Sequence, residues 1–286
     1  MNHRLRTLLV LGRVSSLPTV WSDCLAGWWL GGGGNFWKLP FLFLGISLLH
    51  TAGMFLNDAF DEQFDRQRRP ERPIPSGKIS ATLVWRFGFG QLALGILLLL
   101  FCGKVAAVAA VLLALAILLY DWTHKLFTAS PWLMGACRFW VYVIAGATGG
   151  EGLNGYAIFG GVALAIYVVG LNCIARRGSP RQKIPVWPLA LLAAPVVVAL
   201  MINAGEFRSP AIWISLVLGL WIARCGQPIF MRGDANAGLI VANLLAGIAL
   251  VDWLAVAPQL PPWLSTSVFL ALLGVTKWLQ KFAPAA

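Results

Sequence analysis

The sequence predicts an all-α, multi-pass membrane protein: a bundle of nine or ten transmembrane helices forming one domain over residues 1–286. Three observations carry this expectation. Hydrophobic residues make up 59% of the 286 and charged residues only 12%, against about 25% charged in a soluble domain. Mean hydropathy is +0.76. Apolar runs close to the roughly 20 residues that cross a bilayer recur along the whole chain. So little charge cannot cover a soluble protein of this length, and the apolar surface must face lipid. A soluble globular protein, a disordered chain and a nucleic-acid binder are thereby excluded.

The expected spans are 16–31, 40–60, 82–102, 105–121, 132–148, 156–175, 187–204, 210–225, 235–255 and 263–280. No long polar linker divides them, and no repeat of fixed period is present. The basic start lacks a small-residue cleavage site after its short apolar stretch, so the first span is expected to be retained. Gly31–Gly34 reads as a turn, because it lacks the Lys-Ser/Thr of a phosphate-cradling loop. The five cysteines are scattered with no CxxC pair, which reads as small buried thiols.

The net charge of +11 reads as topology. With the N-terminus in the cytoplasm, 18 of the 22 Lys and Arg residues fall in loops or span ends on that side. Lys38, Lys104 and Arg208 fall opposite, and Arg138 lies within a span. This asymmetry is what the positive-inside rule requires. It places the two richest polar loops, 61–80 and 176–186, on one face.

Acids are rarer still, and five of the 11, Asp58, Asp61, Glu62, Asp65 and Glu71, follow directly on the second span. On a helix of about 100° per residue, Asn57, Asp61, Asp65 and Asp58 fall at about 0°, 40°, 80° and 100°. One face thus carries an amide and three carboxylates. Stacked carboxylates repel unless a cation intervenes. Mg²⁺ suits them, since it binds through one or two carboxylates plus waters and substrate phosphates. Arg66, Arg68, Arg69, Arg72 and Lys78 follow, and guanidinium groups match phosphate oxygens. Together they read as a metal–diphosphate site for a lipid-tailed substrate. The alternative for the arginines is an ordinary basic cytoplasmic loop. For the acids that alternative is weaker, because acids at a membrane edge are expensive and usually functional.

Asn57-Asp58-x-x-Asp61-x-x-x-Asp65, followed by Arg69-Pro70-x-Arg72-Pro73-Ile74-Pro75-Ser76-Gly77, resembles the first aspartate-rich motif of the UbiA family of intramembrane aromatic prenyltransferases. The resemblance extends to the family's bundle of about nine helices. It implies Mg²⁺ as cofactor and a prenyl diphosphate as donor, with a small-molecule acceptor, the lipid bilayer as surroundings and no nucleic acid. It implies metal ligation by Asn57, Asp61 and Asp65, with Asp58 as helper. Asp61 and Asp65 would carry the catalysis. Arg69, Arg72, Lys125, Arg138, Asn172 and Arg176 would line the diphosphate site. A bacterial inner membrane, with N-terminus and site loops cytoplasmic, is the expected location.

Two departures stand out. The family's Tyr-Ser-x-x-Lys-Arg element reads Tyr120-Asp121-Trp122-Thr123-His124-Lys125 here. The loop after the sixth span, where the family carries its second acidic motif, runs from Asn172 to Lys183 without an acid. Arg176, Arg177, Arg181 and Lys183 stand there instead. The texture of Leu17-Pro18-Thr19-Val20-Trp21-Ser22, Tyr120-Asp121 and Gly135-Ala136-Cys137-Arg138 resembles a divergent branch of the family, the one associated with bacterial ebo gene clusters.

Other residues admit two readings each. Arg138 either reaches the diphosphate site or snorkels to the interface. Asp121 either replaces a missing acid or is a helix-end charge, and His124 is either a base or a loop histidine. Asn172 is a candidate pocket residue, His50 a hydrogen-bonded packing residue, and Asp252 has no evident partner. The 14 tryptophans fall mostly near span ends, as in an interfacial belt. The leading function is Mg²⁺-dependent transfer of an isoprenoid chain to an electron-rich, aromatic acceptor. The acid-free second loop motivates an alternative, a non-catalytic prenyl- or lipid-binding membrane protein. A transporter is a third reading, disfavoured because no inverted repeat is present and the polar cluster sits at one face.

Overall fold

The computed structural model describes residues 3–176, 187–231 and 237–282. Among them every regular element is helical. The α-helices are α1 His3–Leu11, α2 Leu17–Leu30, α3 Leu39–Phe60, α4 Glu62–Arg68, α5 Ala81–Leu99, α6 Lys104–Thr123 and α7 Ser130–Thr148. They continue as α8 Gly155–Ala175, α9 Trp187–Leu191, α10 Ala194–Ile202, α11 Arg208–Met231, α12 Ala237–Ala246, α13 Ile248–Val256 and α14 Pro262–Leu279.

Six stretches are long and apolar enough to cross a membrane: Phe36–Phe60, Ala81–Cys102, Lys104–Thr123, Gly155–Ala175, Gly205–Pro228 and Gly238–Val256. The chain is an integral, multi-pass membrane protein. The other four expected spans are also helical, but each falls short for a local reason. Span 16–31 is the 14-residue α2. Span 132–148 is α7, whose apolar run is interrupted by Arg138. Span 187–204 breaks into α9 and α10, where Pro195 lacks the N–H that would continue the ladder. Span 263–280 is α14, with Lys277 in its last turn. Among the described residues six helices thus meet the length and apolarity of a span, and the remaining expected spans are helical but shorter or less apolar.

The periphery is oily. Leu97, Val108, Leu115 and Leu220 are 55%, 62%, 56% and 72% exposed, a pattern that only lipid can cover. Trp37, Trp122, Trp132 and Trp263, at or beside helix ends, are exposed as well. Inside, two apolar clusters meet along α2 and α7. Val20, Cys24 and Trp28 of α2 join Leu49 and Leu56 of α3 and Leu113 of α6 on one side. Ala26 and Leu30 join Tyr142 of α7, Leu164 of α8 and Leu250 of α13 on the other. The polar centre described below lies where these halves share α2 and α7.

Close approach of α2 and α7 depends on small residues. Gly27 and Gly31, four apart on α2, face Ala145, Gly146 and Gly149. This is the small-residue spacing by which membrane helices bring their backbones together. A Cβ on Gly31 would lie 2.2 Å from the Gly146 carbonyl oxygen, and a backbone atom cannot yield as a side chain can. Gly31→Ala is therefore expected to destabilise the detergent-solubilised protein by about 1–3 kcal/mol. Gly274→Ala, with no atom within 4 Å, should leave the melting temperature unchanged or raise it slightly.

Candidate functional site

The site is built where α3 runs on into α4. Asp61 separates the two, yet its N–H donates to Asn57 O at 3.0 Å and its carbonyl accepts from Asp65 N at 2.9 Å. The helical ladder thus continues through the motif, and the acid face expected from the sequence forms. Asp65 is 1% and Asp61 7% exposed. After Arg69 the chain turns back in a run of turns closed by Ser76 N to Arg72 O and Lys78 N to Pro73 O. Ile74 anchors that loop by packing with Leu11, Phe55 and Val84. The anchor swings Arg72 over the acid face, where its Nη1 donates to Asp58 Oδ1 and Asp65 Oδ2, each at 3.0 Å.

The end of α6 closes the other side. Lys125 Nζ lies 2.6 Å and His124 Nε2 3.4 Å from Asp61 Oδ1. Lys125 also sits 3.8 Å from the centre of the Phe64 ring. Asn57 Nδ2 donates to Asp121 Oδ1 at 3.1 Å. Burial alone would raise the pKa of Asp61, but hydrogen bonds and charge from His124 and Lys125 outweigh it and hold the carboxyl below its ordinary range. Burial alone would lower the His124 pKa, and Asp61 reverses that, lifting it above the usual histidine value.

A group whose folded pKa is raised stabilises the fold below its unfolded pKa and loses that contribution as pH rises through the folded value. In the metal-free protein, His124→Gln is therefore expected to lower the melting temperature near pH 6. The difference from the parent should shrink as pH climbs past the raised His124 pKa. The effect should be about 1 kcal/mol or less, because the pair lies near solvent. A pH-independent difference would mean that the imidazole acts through packing.

Beside this acidic end lies a cavity of about 200 Å³, which Asp121 lines and the four motif residues Asn57, Asp58, Asp61 and Asp65 do not. Tyr120, Asp121 and Asn172 line it near the acids, and Val20, Ile46 and Ile248 give it apolar walls. Ile46 precedes Asn57 by eleven residues on one helix, about 16 Å at 1.5 Å per residue. The space is long and greasy with charge at one end. His50 also lines it and pairs with Ser16 Oγ at 2.8 Å.

The other expected site residues divide. Arg69 is exposed at the end of α4. Asn172 lines the cavity but gives its amide N–H to Val168 O at 3.0 Å. Arg176 is spent on carbonyls of the α6–α7 connection, at His124, Phe127 and Thr128. Arg177, Arg181 and Lys183 lie outside the described residues. Arg138 lines the cavity wall, but it neither snorkels nor faces the motif acids. It donates to Asp23 on α2 and to Thr19 Oγ1 at 3.2 Å.

Asp23, 0% exposed, was not singled out from the sequence, although an acid within an apolar span and an arginine within another were the signal. Beside it lies Asp252, also 0% exposed, which accepts from Ser22 Oγ and the Tyr142 hydroxyl. Arg13 was likewise missed as a pocket residue. It lines the cavity from a left-handed backbone with φ 44°, a conformation that costs a non-glycine residue about 1–3 kcal/mol.

Among the described residues no three His, Cys, Asp or Glu side chains stand close enough to enclose a metal. Mg²⁺ needs no such trio, since it keeps waters and completes its shell with substrate phosphates. Two oxygens do invite a cation: Asp65 Oδ1 and Asp121 Oδ2 are buried without a hydrogen-bond partner. The residues present fit a hard, oxygen-bound ion.

A model of the UbiA prenyltransferase family matches residues 15–191, more than half of the chain, including the acid face and Arg138. The chain belongs to the UbiA prenyltransferase family. Curated relatives named digeranylgeranylglyceryl phosphate synthase include one from Methanosarcina mazei, 37% identical over 91 residues, covering 30% of this chain and 32% of the relative. Another, from Methanococcoides burtonii, is 31% identical over 128 residues, covering 45% and 42%. The aligned stretches span about a third of the length of most such relatives. Two solved structures share the fold. A UbiA homologue from Aeropyrum pernix K1 is 17% identical with a TM-score of 0.66, covering 88% of this chain and 99% of that one. A digeranylgeranylglyceryl phosphate synthase structure is 19% identical with a TM-score of 0.59, covering 96% and 98%. These likenesses confirm the UbiA-like helical architecture.

Proposed function

We propose that this UbiA-family protein transfers an isoprenoid chain from a prenyl diphosphate to an electron-rich, aromatic acceptor, in a Mg²⁺-dependent reaction at the membrane–cytoplasm interface. The observation that carries the reading is a buried acid face joined, through the Asn57–Asp121 hydrogen bond, to an apolar-walled cavity. Asn57, Asp58, Asp61 and Asp65 would hold the metal, which supplies charge to stabilise the departing diphosphate. Arg72 and Lys125, now resting on Asp58, Asp65 and Asp61, are placed to exchange a carboxylate for a phosphate oxygen. The allylic C–O bond breaks with its electron pair leaving on diphosphate, the acceptor carbon attacks, and the acceptor loses a proton. Apolar walls house the tail and keep water from the allylic cation. The lysine and arginine asymmetry supports a cytoplasmic acid end, and the resemblance to the ebo-associated branch supports a bacterial inner membrane.

The names of the relatives favour a second acceptor class, a glyceryl phosphate bearing a prenyl chain. The cations already seated on the acids favour a third reading, a non-catalytic prenyl binder. One experiment separates them. Purified protein with Mg²⁺ and geranylgeranyl diphosphate is given hydroxylated aromatics and, separately, geranylgeranylglyceryl phosphate, and products are read by mass. An aromatic adduct is the expected result. A lipid ether would reassign the acceptor, and donor binding without any product would establish the non-catalytic reading.

A further inference from the structure

The family's second acidic motif has no counterpart in this chain between Asn172 and Lys183, and the proposed reaction leaves one buried acid unused. Asp121 sits one residue after Tyr120 near the end of α6, 4% exposed. One of its oxygens takes the Asn57 amide at 3.1 Å. The other, Oδ2, is buried without a partner, and the residue lines the cavity. A buried carboxylate oxygen left bare is expensive and calls for an explanation such as an absent ion or water. Asp61 and Asp65 spend oxygens on Lys125 and Arg72, whereas no cation sits on Asp121 in any ion pair among the described residues. The Asn57 bond also orients the amide: its NH₂ faces Asp121, so its carbonyl oxygen turns away from that carboxylate. Asp121 Oδ2 thus stands bare on a residue of the cavity wall, with the Asn57 amide of α3 fixed beside the same carboxylate.

We propose that Asp121 is a cation ligand, supplying from α6, together with Asn57 of α3, the acidic oxygen that the missing second motif would otherwise contribute to the diphosphate-binding metal. The inference rests on the Mg²⁺-dependent reading above. It places the ligands on two helices that pack directly, instead of across the bundle from α8.

The test is a melting curve of the full chain in detergent micelles with geranylgeranyl S-thiolodiphosphate, a donor analogue that resists cleavage. It is run with and without Mn²⁺, for the parent, Asp121→Asn and Asp121→Glu. The parent should gain a Mn²⁺-dependent rise. Asp121→Asn should lose it, with apparent Mn²⁺ affinity down by about tenfold or more. Without metal its melting point should equal or exceed the parent's, because a bare buried charge is gone. Asp121→Glu should retain part of the rise. If Asp121→Asn keeps the parent's rise, or melts lower without metal while keeping it, Asp121 is a structural partner of Asn57 and the inference is overturned. If the parent shows no Mn²⁺-dependent rise, the metal-dependent function fails and this inference with it. Should Asp121→Asn not fold, Asp121→Ser answers the same question.

Discussion

Asp61→Asn is expected to abolish a Mg²⁺-dependent gain in melting temperature that geranylgeranyl diphosphate should confer on the parent protein. A ligand that binds only the folded state stabilises it by mass action, about 2.7 kcal/mol at 100 times its dissociation constant. Asp61 lies at the centre of the acid face and is the meeting point of Lys125 and His124. Without its charge the metal loses a ligand, yet both cations are released toward the diphosphate. The two candidate modes of donor binding therefore move in opposite directions. If metal carries the donor, the Mg²⁺-dependent shift disappears in the variant. If the protein's own cations carry it, the variant binds donor as well as the parent or better, with or without Mg²⁺. The second outcome would remove Mg²⁺ from the reaction and favour the non-catalytic reading.

That ambiguity shows where sequence stops being informative. The acid face was legible because helix periodicity is local: Asn57, Asp58, Asp61 and Asp65 share a side of any helix, and the backbone ladder runs through Asp61 as expected. Membrane residence was legible because it is compositional. The partners of the charges were not, because they come from distant turns. Arg72 reaches Asp58 and Asp65 only because Ile74 is buried beside Leu11 and Val84. Arg176 looked like a phosphate ligand in a basic loop, but the α6–α7 connection presents three carbonyls to it first. Span counting meets a similar limit. Window length assumes an unbroken helix, whereas α2 is short and Pro195 divides the seventh candidate. Asp23 escaped notice because a single acid in an apolar run has no periodicity. Its meaning appears only when α7 packs on α2 and sets Arg138 against it.

The same pair yields the largest expected effect on stability. Asp23 is fully buried and Arg138 is 8% exposed, at the seam the two halves of the bundle share. Removing one member of a buried pair strands the other, which costs about 3–5 kcal/mol. Asp23→Ala should therefore lower stability by about that amount, read from the melting temperature in micelles. Replacing both by apolar groups of similar size is often neutral or stabilising, so Asp23→Leu with Arg138→Met should recover most of the loss. The shortfall or surplus of the double variant against the two singles gives the coupling directly. Asp252 makes the expectation sharper. It lies beside Asp23 and is held by Ser22 and Tyr142, so Arg138 is what offsets Asp23 next to a second acid. Arg138→Met alone should then be the more harmful single change, because it strands Asp23 beside a second buried acid. Equal losses from the two singles would mean that Asp252 is carried by its hydroxyl donors alone. A double variant that regains stability yet no longer binds donor would separate the second role of Arg138, as a cavity wall, from its first as the partner of Asp23.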